Sequence, residues 1–216
     1  MIRSILRKRI QNAGFTLLLL IFFQNVIAND VVSELREKLD AFKSLSADFE
    51  QRVISQDSQL LSQQNGRFYL LRPGKFKWSY AENDQEIVSD GQKIYFLIPD
   101  LEQIIIRDFN NALSTVPSLV LVSDSSKLDQ LFDIKKKQSR QSLSQYELKP
   151  KSTDSSYDSL LVSFTNNQLL GLRMIDGLGQ TTEIILNDVK NNPDLPEAEF
   201  QFDIPDGYDV IGDQAS

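Results

Sequence analysis

The chain of 216 residues contains no cysteine and no histidine. These two absences exclude a Ser-His-Asp triad, a thiolate nucleophile, haem or iron–sulfur ligation, and a zinc site built from His and Cys. They also exclude disulfides, so the fold must be stabilised by packing. The length favours a single domain with enough chain to bury a real core.

Signatures of catalysis are also missing. The thirty acidic residues make some pairing of carboxylates inevitable, but no motif singles out the closely spaced pair that a glycosidase needs. Asp203, Asp206 and Asp209 do not have the spacing of a calcium loop. Neither a G-x-S-x-G elbow nor a phosphate-binding glycine loop is present. We therefore predict a protein that is not an enzyme and has no cofactor or metal.

The first 28 residues have the pattern of a cleavable secretory signal. Four basic residues lie within the first nine positions, an unbroken apolar run extends from Phe15 to Phe23, and the small residue Ala28 ends the segment. The run is well short of the roughly 20 residues that span a bilayer, although an uncleaved membrane anchor is the alternative. We predict cleavage after residue 28, a single domain at 29–216, and export from the cytoplasm.

The predicted mature chain is acidic. Without the four basic residues of the signal, its net charge is −11. The largest basic cluster, Lys135 to Lys137, falls in a predicted strand and is expected to be a solvated face. This balance argues against nucleic acid and anionic membrane surfaces as partners.

Hydrophobic periodicity predicts one helix followed by many strands. After the cap candidates Asn29 and Asp30, apolar residues recur at spacings of three and four as far as Leu45. The period then changes to two, most clearly in Phe76, Trp78 and Tyr80. Further strands are predicted at 60–71, 85–89, 92–98, 102–107, 132–138, 144–149, 158–165, 168–176 and 180–189. Ten or eleven strands in this order favour one antiparallel, meandering sheet or a partly closed barrel.

Residues 108–131 interrupt the strands. Ser114 and Thr115 precede Pro117 and an apolar block that ends at Val122, which predicts a short helix. Apolar side chains cover almost its whole circumference, so we expect sheet or ligand on more than one side of it. The pattern is compatible with a filled core and with a cavity, and periodicity does not distinguish the two.

Arg72 is the charged residue that the pattern singles out. It ends an apolar strand and directly precedes Pro73, which restricts its backbone. An exposed arginine at a strand end is the alternative interpretation.

These residues resemble the family of periplasmic outer-membrane lipoprotein carriers, the LolA family, over nearly the whole mature chain. The sequence departs from the family pattern at Ile98, where an asparagine often precedes the proline, and in the isoleucines after Gln103. The matching segments are Phe49-x-Gln51, Gly66, Arg72-Pro73-x-x-Phe76-x-Trp78, Val88-Ser89-Asp90-Gly91, Tyr95 with Pro99, Glu102-Gln103, Leu148-x-Pro150-Lys151, and Phe200-x-Phe202-x-x-Pro205-x-Gly207-x-Asp209-Val210.

The resemblance implies an α+β, mainly β fold: an unclosed antiparallel β-barrel of about eleven strands, with helices forming a lid over a hydrophobic cavity. It implies that Arg72 hydrogen-bonds the lid backbone and holds the empty cavity shut, and that Pro117 to Val122 form a lid helix. The residues expected to contact acyl chains from the sheet and the lid are Phe49, Phe76, Trp78, Tyr95, Leu119, Val120 and Leu121.

The resemblance also implies a monomeric chaperone that accepts acylated lipoproteins released by an inner-membrane ABC transporter. The chaperone would shield their acyl chains and deliver them to an outer-membrane acceptor similar to LolB. That acceptor is itself lipidated on an N-terminal cysteine, which this chain lacks.

Two other functions stay open. A periplasmic sensor or regulator could bind a hydrophobic ligand with the same half-barrel, although such proteins commonly carry an additional domain that we do not expect after Val210. The other is a carboxylate-based hydrolase that acts on an envelope polymer. Such an enzyme would lose its activity when one particular Asp or Glu is replaced by alanine.

Overall fold

The computed structural model of the protein describes residues 26–112, 116–137 and 142–212. Most of the predicted signal segment, 1–28, therefore lies outside the described residues. Ser114 and Thr115, expected to precede the short helix, also lie outside them.

The described residues form twelve strands and a few short helices. The α-helices are α1 (Val26–Asp40), α2 (Phe109–Ala112) and α3 (Leu128–Leu131), and the 3₁₀ helices are Pro99–Leu101, Pro117–Leu121, Ser125–Lys127 and Glu197–Phe200. The strands are β1 (Ser44–Ile54), β2 (Leu60–Leu71), β3 (Lys75–Tyr80), β4 (Glu86–Asp90), β5 (Lys93–Ile98), β6 (Gln103–Asp108), β7 (Phe132–Lys137), β8 (Leu143–Pro150), β9 (Ser159–Thr165), β10 (Gln168–Ile175), β11 (Thr181–Asn191) and β12 (Asp209–Gly212).

All twelve strands belong to one sheet, in the order β12-β6-β5-β4-β3-β2-β1-β11-β10-β9-β8-β7. Within the described part of the chain, the two end strands, β7 and β12, do not pair with each other, so the barrel is unclosed. The predicted architecture is confirmed, with one strand more than the eleven expected.

The additional strand, β12, is the one strand of the described sheet that is not antiparallel to its neighbour. β12 runs parallel to β6, with Val210 opposite Ile104, whereas every other pair in the sheet is antiparallel. A parallel neighbour requires a long connection, and here the chain between β6 and β12 includes the helical segment that ends at Leu131 and the strands β7 to β11.

The helix α1 differs from the prediction at both ends. Asn29 and Asp30 lie within its bounds rather than before them, and the helix ends at Asp40. The apolar spacing that continued to Leu45 is therefore not helical throughout, because Phe42 follows the helix and Leu45 belongs to β1. Both are nonetheless buried, since the chain turns directly from the helix into the sheet.

The core lies between the concave face of the sheet and the segment that crosses it. Strand residues alternate between buried and half-buried positions in β3 and β9, as a sheet with one covered face requires. Ile104 and Ile106, which depart from the family pattern, are buried in β6 but lie on the other face of the sheet, where Ile106 is opposite Tyr95 of β5. The triplet Lys135 to Lys137 is exposed in β7, as predicted.

Gly66 is required by the packing of the aromatic rings above it. A Cβ atom at this position would lie 1.9 Å from the Ser79 carbonyl oxygen and 2.8 Å from Cε1 of Phe49. We expect Gly66→Ala to lower the free energy of unfolding by about 3 kcal/mol, because neither backbone nor buried ring can yield. Gly177→Ala is the matched control: a Cβ there has no atom within 4 Å, so a change within about 0.5 kcal/mol is expected. Equal urea midpoints for the two variants would contradict this account.

Among the described helices, none has the length and apolar character needed to cross a membrane.

Candidate functional site

Aromatic rings cover the concave face at the centre of the sheet. The ring of Trp78 lies 4.6 Å from that of Phe49 and 4.5 Å from that of Phe68, measured between centroids. The register explains the cluster, since Trp78 on β3 lies opposite Phe68 on β2. Phe76, two residues earlier on the same face of β3, is buried as well. Three of the residues predicted to line the cavity, Phe49, Phe76 and Trp78, are thus brought together.

The segment from Pro117 to Leu131 contributes apolar side chains to the same buried cluster, and we call it the lid segment. Pro117 begins its first turn, so the short helix predicted here is present, as a 3₁₀ helix over Pro117–Leu121. Leu119, Val120 and Leu121 are each at most 3% exposed and belong to one hydrophobic cluster with the sheet aromatics. All faces of this turn are covered, as its apolar circumference requires.

Arg72 joins the sheet to the lid segment. Its Nη2 donates a hydrogen bond of 2.6 Å to the carbonyl oxygen of Leu121, and its Nη1 lies 3.3 Å from Oδ1 of Asp40. The guanidinium also lies over the ring of Phe42, 5.2 Å from its centroid. Since the Arg72 side chain is only 13% exposed, these contacts act in a largely desolvated place, and Arg72 is not the exposed residue of the alternative interpretation.

Burial lowers the pKa of the Arg72 guanidinium from its ordinary value, and the charges of Asp40 and Asp124 oppose that shift. The group stays protonated at any pH a protein survives. The contact with Leu121 is therefore a charge-assisted hydrogen bond, worth about 1.5–3 kcal/mol.

Two further contacts hold the lid segment closed. The backbone N–H of Gly74, in the turn after Arg72, donates to the carbonyl of Val122 at 3.1 Å. The hydroxyl of Ser125 donates to Oδ2 of Asp40 at 2.9 Å. Asp40, at the end of α1, thus accepts from the lid segment through one oxygen while its other oxygen contacts Arg72.

The helix α1 holds the lid segment through Arg36 as well. Its Nε donates to the carbonyl of Ser125 at 3.0 Å, and its Nη2 lies 3.5 Å from Asp129. Sequence reasoning missed Arg36, Asp40 and Ser125, because nothing local distinguishes them from the other polar residues of the chain. Their partners lie about 90 positions away.

Tyr95 does not lie where the sequence analysis placed it. Its neighbours Ile94 and Phe96 pack in the core cluster, so alternation along β5 places Tyr95 on the other face of the sheet. There its ring stacks on Phe202 at 5.0 Å, and its hydroxyl contacts Asp90. Tyr95 therefore anchors the C-terminal segment rather than lining the concave face.

The concave face becomes polar beyond the aromatic rings. Gln51 on β1 and Gln64 on β2 lie opposite each other. Each is two residues along its strand from the pair Phe49 and Gly66, and so on the same face. Both are half-buried, and Oε1 of Gln51 accepts a hydrogen bond from the hydroxyl of Tyr80 at 3.1 Å. Burial raises the pKa of Tyr80 to about 12, so this hydroxyl remains a donor.

A family model described as outer membrane lipoprotein carrier protein LolA matches residues 40–203 of the chain. That range includes the strands β1 to β11, Arg72 and the lid segment, and it ends before β12.

Curated relatives are similar over most of their length. An outer-membrane lipoprotein carrier protein of Pseudomonas entomophila is 39% identical over 181 residues, which cover 83% of this chain and 87% of the relative. One of Hahella chejuensis is 36% identical over 189 residues, covering 87% and 89%.

A solved structure of a DUF1329 family protein from Desulfovibrio piger superposes with a TM-score of 0.53. It is 10% identical and covers 81% of this chain and 96% of its own. At that identity, the likeness concerns the fold alone.

Proposed function

The chain belongs to the LolA family of outer membrane lipoprotein carrier proteins, and we propose that it is a periplasmic chaperone of acylated lipoproteins. The observation that carries the proposal is the apolar lid segment packed on the aromatic concave face and held there by Arg72. Acyl chains would enter between these two apolar layers and be shielded from water during transit.

Burial of acyl chains supplies the affinity. Each methylene removed from water contributes about 0.8 kcal/mol, so even a partly enclosed chain gains several kcal/mol. Phe49, Phe76 and Trp78 would contact the chains from the sheet, and Leu119, Val120 and Leu121 would contact them from the lid segment. These side chains are mutually packed in the present structure, so the cargo must displace the lid segment.

A carrier must also release its cargo. The hydrogen bond from Arg72 to Leu121 exists only while the lid segment is closed, so its free energy is subtracted from the affinity for cargo. We propose that Arg72 acts as a latch which favours the empty state and lets a tighter-binding acceptor take the lipoprotein.

The partners of the cycle are proposed from family membership. An inner-membrane ABC transporter would release lipoproteins to this chain, and a LolB-like outer-membrane acceptor would receive them. We further propose that residues 1–28 direct export and are removed. The acidic mature chain, with a net charge of −11, has little attraction for an anionic bilayer surface, which suits a protein that travels between two membranes.

A sensor that binds a hydrophobic ligand is not favoured, because the curated relatives with such extensive similarity carry the name of lipoprotein carriers. We infer a non-catalytic role for the same reason.

A release assay tests the proposal. Purified residues 29–216 are added to spheroplasts that contain pulse-labelled lipoproteins and a transporter matched to this protein. We expect labelled lipoprotein in the supernatant as a soluble one-to-one complex. The same spheroplasts depleted of ATP, and those without added protein, are the controls. Equal release in all three samples would refute the carrier function.

A further inference from the structure

The indole nitrogen of Trp78 is buried without a hydrogen-bond acceptor among the described residues. The side chain is 3% exposed, so bulk water does not reach the N–H group. Buried donors in folded proteins are nearly always paired, because an unpaired one loses its bonds to water without replacement. The Trp78 N–H is therefore an exception that needs an explanation.

The side chains that face Trp78 from the neighbouring strands β1, β2 and β4 are apolar. Its ring packs against those of Phe49 and Phe68, and its register partner on β4 is Ile87. A phenylalanine would satisfy such surroundings without an unpaired donor. The position thus carries a polar group that the closed structure does not use.

Trp78 lies between an apolar and a polar part of the concave face. Towards the lid segment, the next pair in register is Phe76 with Leu70, close to the latch at Arg72. In the other direction, the face reaches the half-buried pair Gln51 and Gln64. A bound amphiphile would place hydrocarbon towards the lid segment and polar groups towards the two glutamines.

The chemistry of the donor identifies the ligand group. An indole N–H only donates, and a hydrocarbon chain has nothing to accept with. The first acceptors in an acylated cargo are the carbonyl oxygens that link each chain to the rest of the molecule, as esters or as an amide.

We propose that the indole N–H of Trp78 donates a hydrogen bond to an acyl-linkage carbonyl of the bound lipoprotein. This inference rests on the proposed carrier function. It makes Trp78 a specificity residue: it distinguishes acyl chains, which carry a linkage carbonyl, from plain hydrocarbon or alkyl ethers of the same length.

The test uses the fact that Trp78 is the only tryptophan of the chain. In the protein labelled with ¹⁵N, the indole N–H gives a single cross-peak. Synthetic cysteinyl lipopeptides of equal chain length are titrated in four forms: with ester-linked chains, with an amide-linked chain, with both, and with ether-linked chains only. The indole proton is expected to move downfield and to exchange more slowly with deuterium when an ester or amide carbonyl links the chain to the peptide. The ester and amide forms show which linkage is recognised.

Affinities provide a second readout. We expect the wild-type protein to prefer the carbonyl ligand that moves the indole signal over the all-ether ligand by about tenfold, as one added hydrogen bond implies. Trp78→Phe should abolish this preference. Any loss of packing in the variant weakens the binding of both ligands alike, so it cancels from the ratio of their affinities. Phe76→Leu is the matched control, because it also loses ring contacts but no hydrogen-bond donor. It should weaken the binding of both ligands and keep the preference for the carbonyl ligand.

The outcomes separate the two levels of the proposal. If the ligands bind but the indole signal responds equally to ester, amide and ether forms, the hydrogen bond is refuted and the carrier function stands. If Trp78→Phe still prefers the carbonyl ligand over the all-ether ligand, the hydrogen bond is likewise refuted and the carrier function stands. If no lipopeptide binds, the carrier function fails and this inference fails with it.

Discussion

Replacing Arg72 with leucine is expected to raise the affinity for acylated cargo by about tenfold and to block transfer to the acceptor. The substitution removes the hydrogen bond to Leu121 and the contact with Asp40, and so destabilises the closed state only. A charge-assisted bond of about 1.5–3 kcal/mol would correspond to factors of about 10 to 150. The smaller factor is expected, because burial of the guanidinium, whose Nε has no hydrogen-bond acceptor among the described residues, already offsets part of the gain.

Arg67→Leu is the matched control for this prediction. Arg67 lies in β2, the strand that ends directly before Arg72, and its side chain contacts Asp48 and Tyr69 of the sheet. The measurement compares lipopeptide affinity and the fraction of lipoprotein passed to acceptor-containing membranes. Unchanged affinity and transfer in Arg72→Leu would show that Arg72 is not a latch.

Val120→Asp is expected to reduce lipopeptide affinity at neutral pH by about a hundredfold or more. Val120 is 3% exposed within the lid segment. In the empty variant we expect the lid segment to open and to leave the new carboxylate in water, whereas the complex must bury it unpaired between lid and acyl chains, which costs several kcal/mol. Burial against the chains raises the pKa of the introduced carboxyl in the complex. Binding should therefore recover as the pH falls towards about 4, where the group is protonated.

Ser118→Asp controls for the added charge, because Ser118 is in the same turn but only half-buried. It should bind within a few-fold of the wild-type protein at each pH. Thermal unfolding of both variants establishes that they are folded. Tight binding by Val120→Asp at neutral pH would mean that acyl chains do not contact this side of the lid segment.

Strong turn residues made much of the sheet predictable. The bounds of β2 agree with the predicted 60–71 because Arg72-Pro73-Gly74 ends the strand with residues that cannot extend it. β12 was missed because four residues are too few to show a period. The end of α1 was misplaced because Leu45 fits a helical spacing from Phe42 and also begins the alternation of β1.

Side-chain directions were harder to predict than strands. The run from Ile94 to Ile98 is apolar at every position, so alternation could not tell which face Tyr95 takes. Its partner Phe202 is more than a hundred positions away. The resemblance implied a latch between Arg72 and the lid backbone, but it did not identify the carbonyl of Leu121 as the acceptor. Asp40, the other partner of Arg72, was not predicted because it is one carboxylate among thirty acidic residues.

Acyl chains of the cargo are expected to lie between the lid segment and the concave face of the sheet. Their position can be mapped by photolabelling with a lipoprotein whose acyl chains carry a photoactivatable diazirine. After release into the supernatant, the complex is irradiated and the labelled peptides are identified by mass spectrometry.

We expect label on peptides that contain Trp78 and on peptides from the lid segment, with little on the outer face around Tyr95 and Phe202. The exposed turn at Leu178, which is 84% exposed, serves as an internal control for non-specific labelling and should carry little label. Label concentrated at Leu178 or on the outer face, with none on the lid segment, would contradict the account.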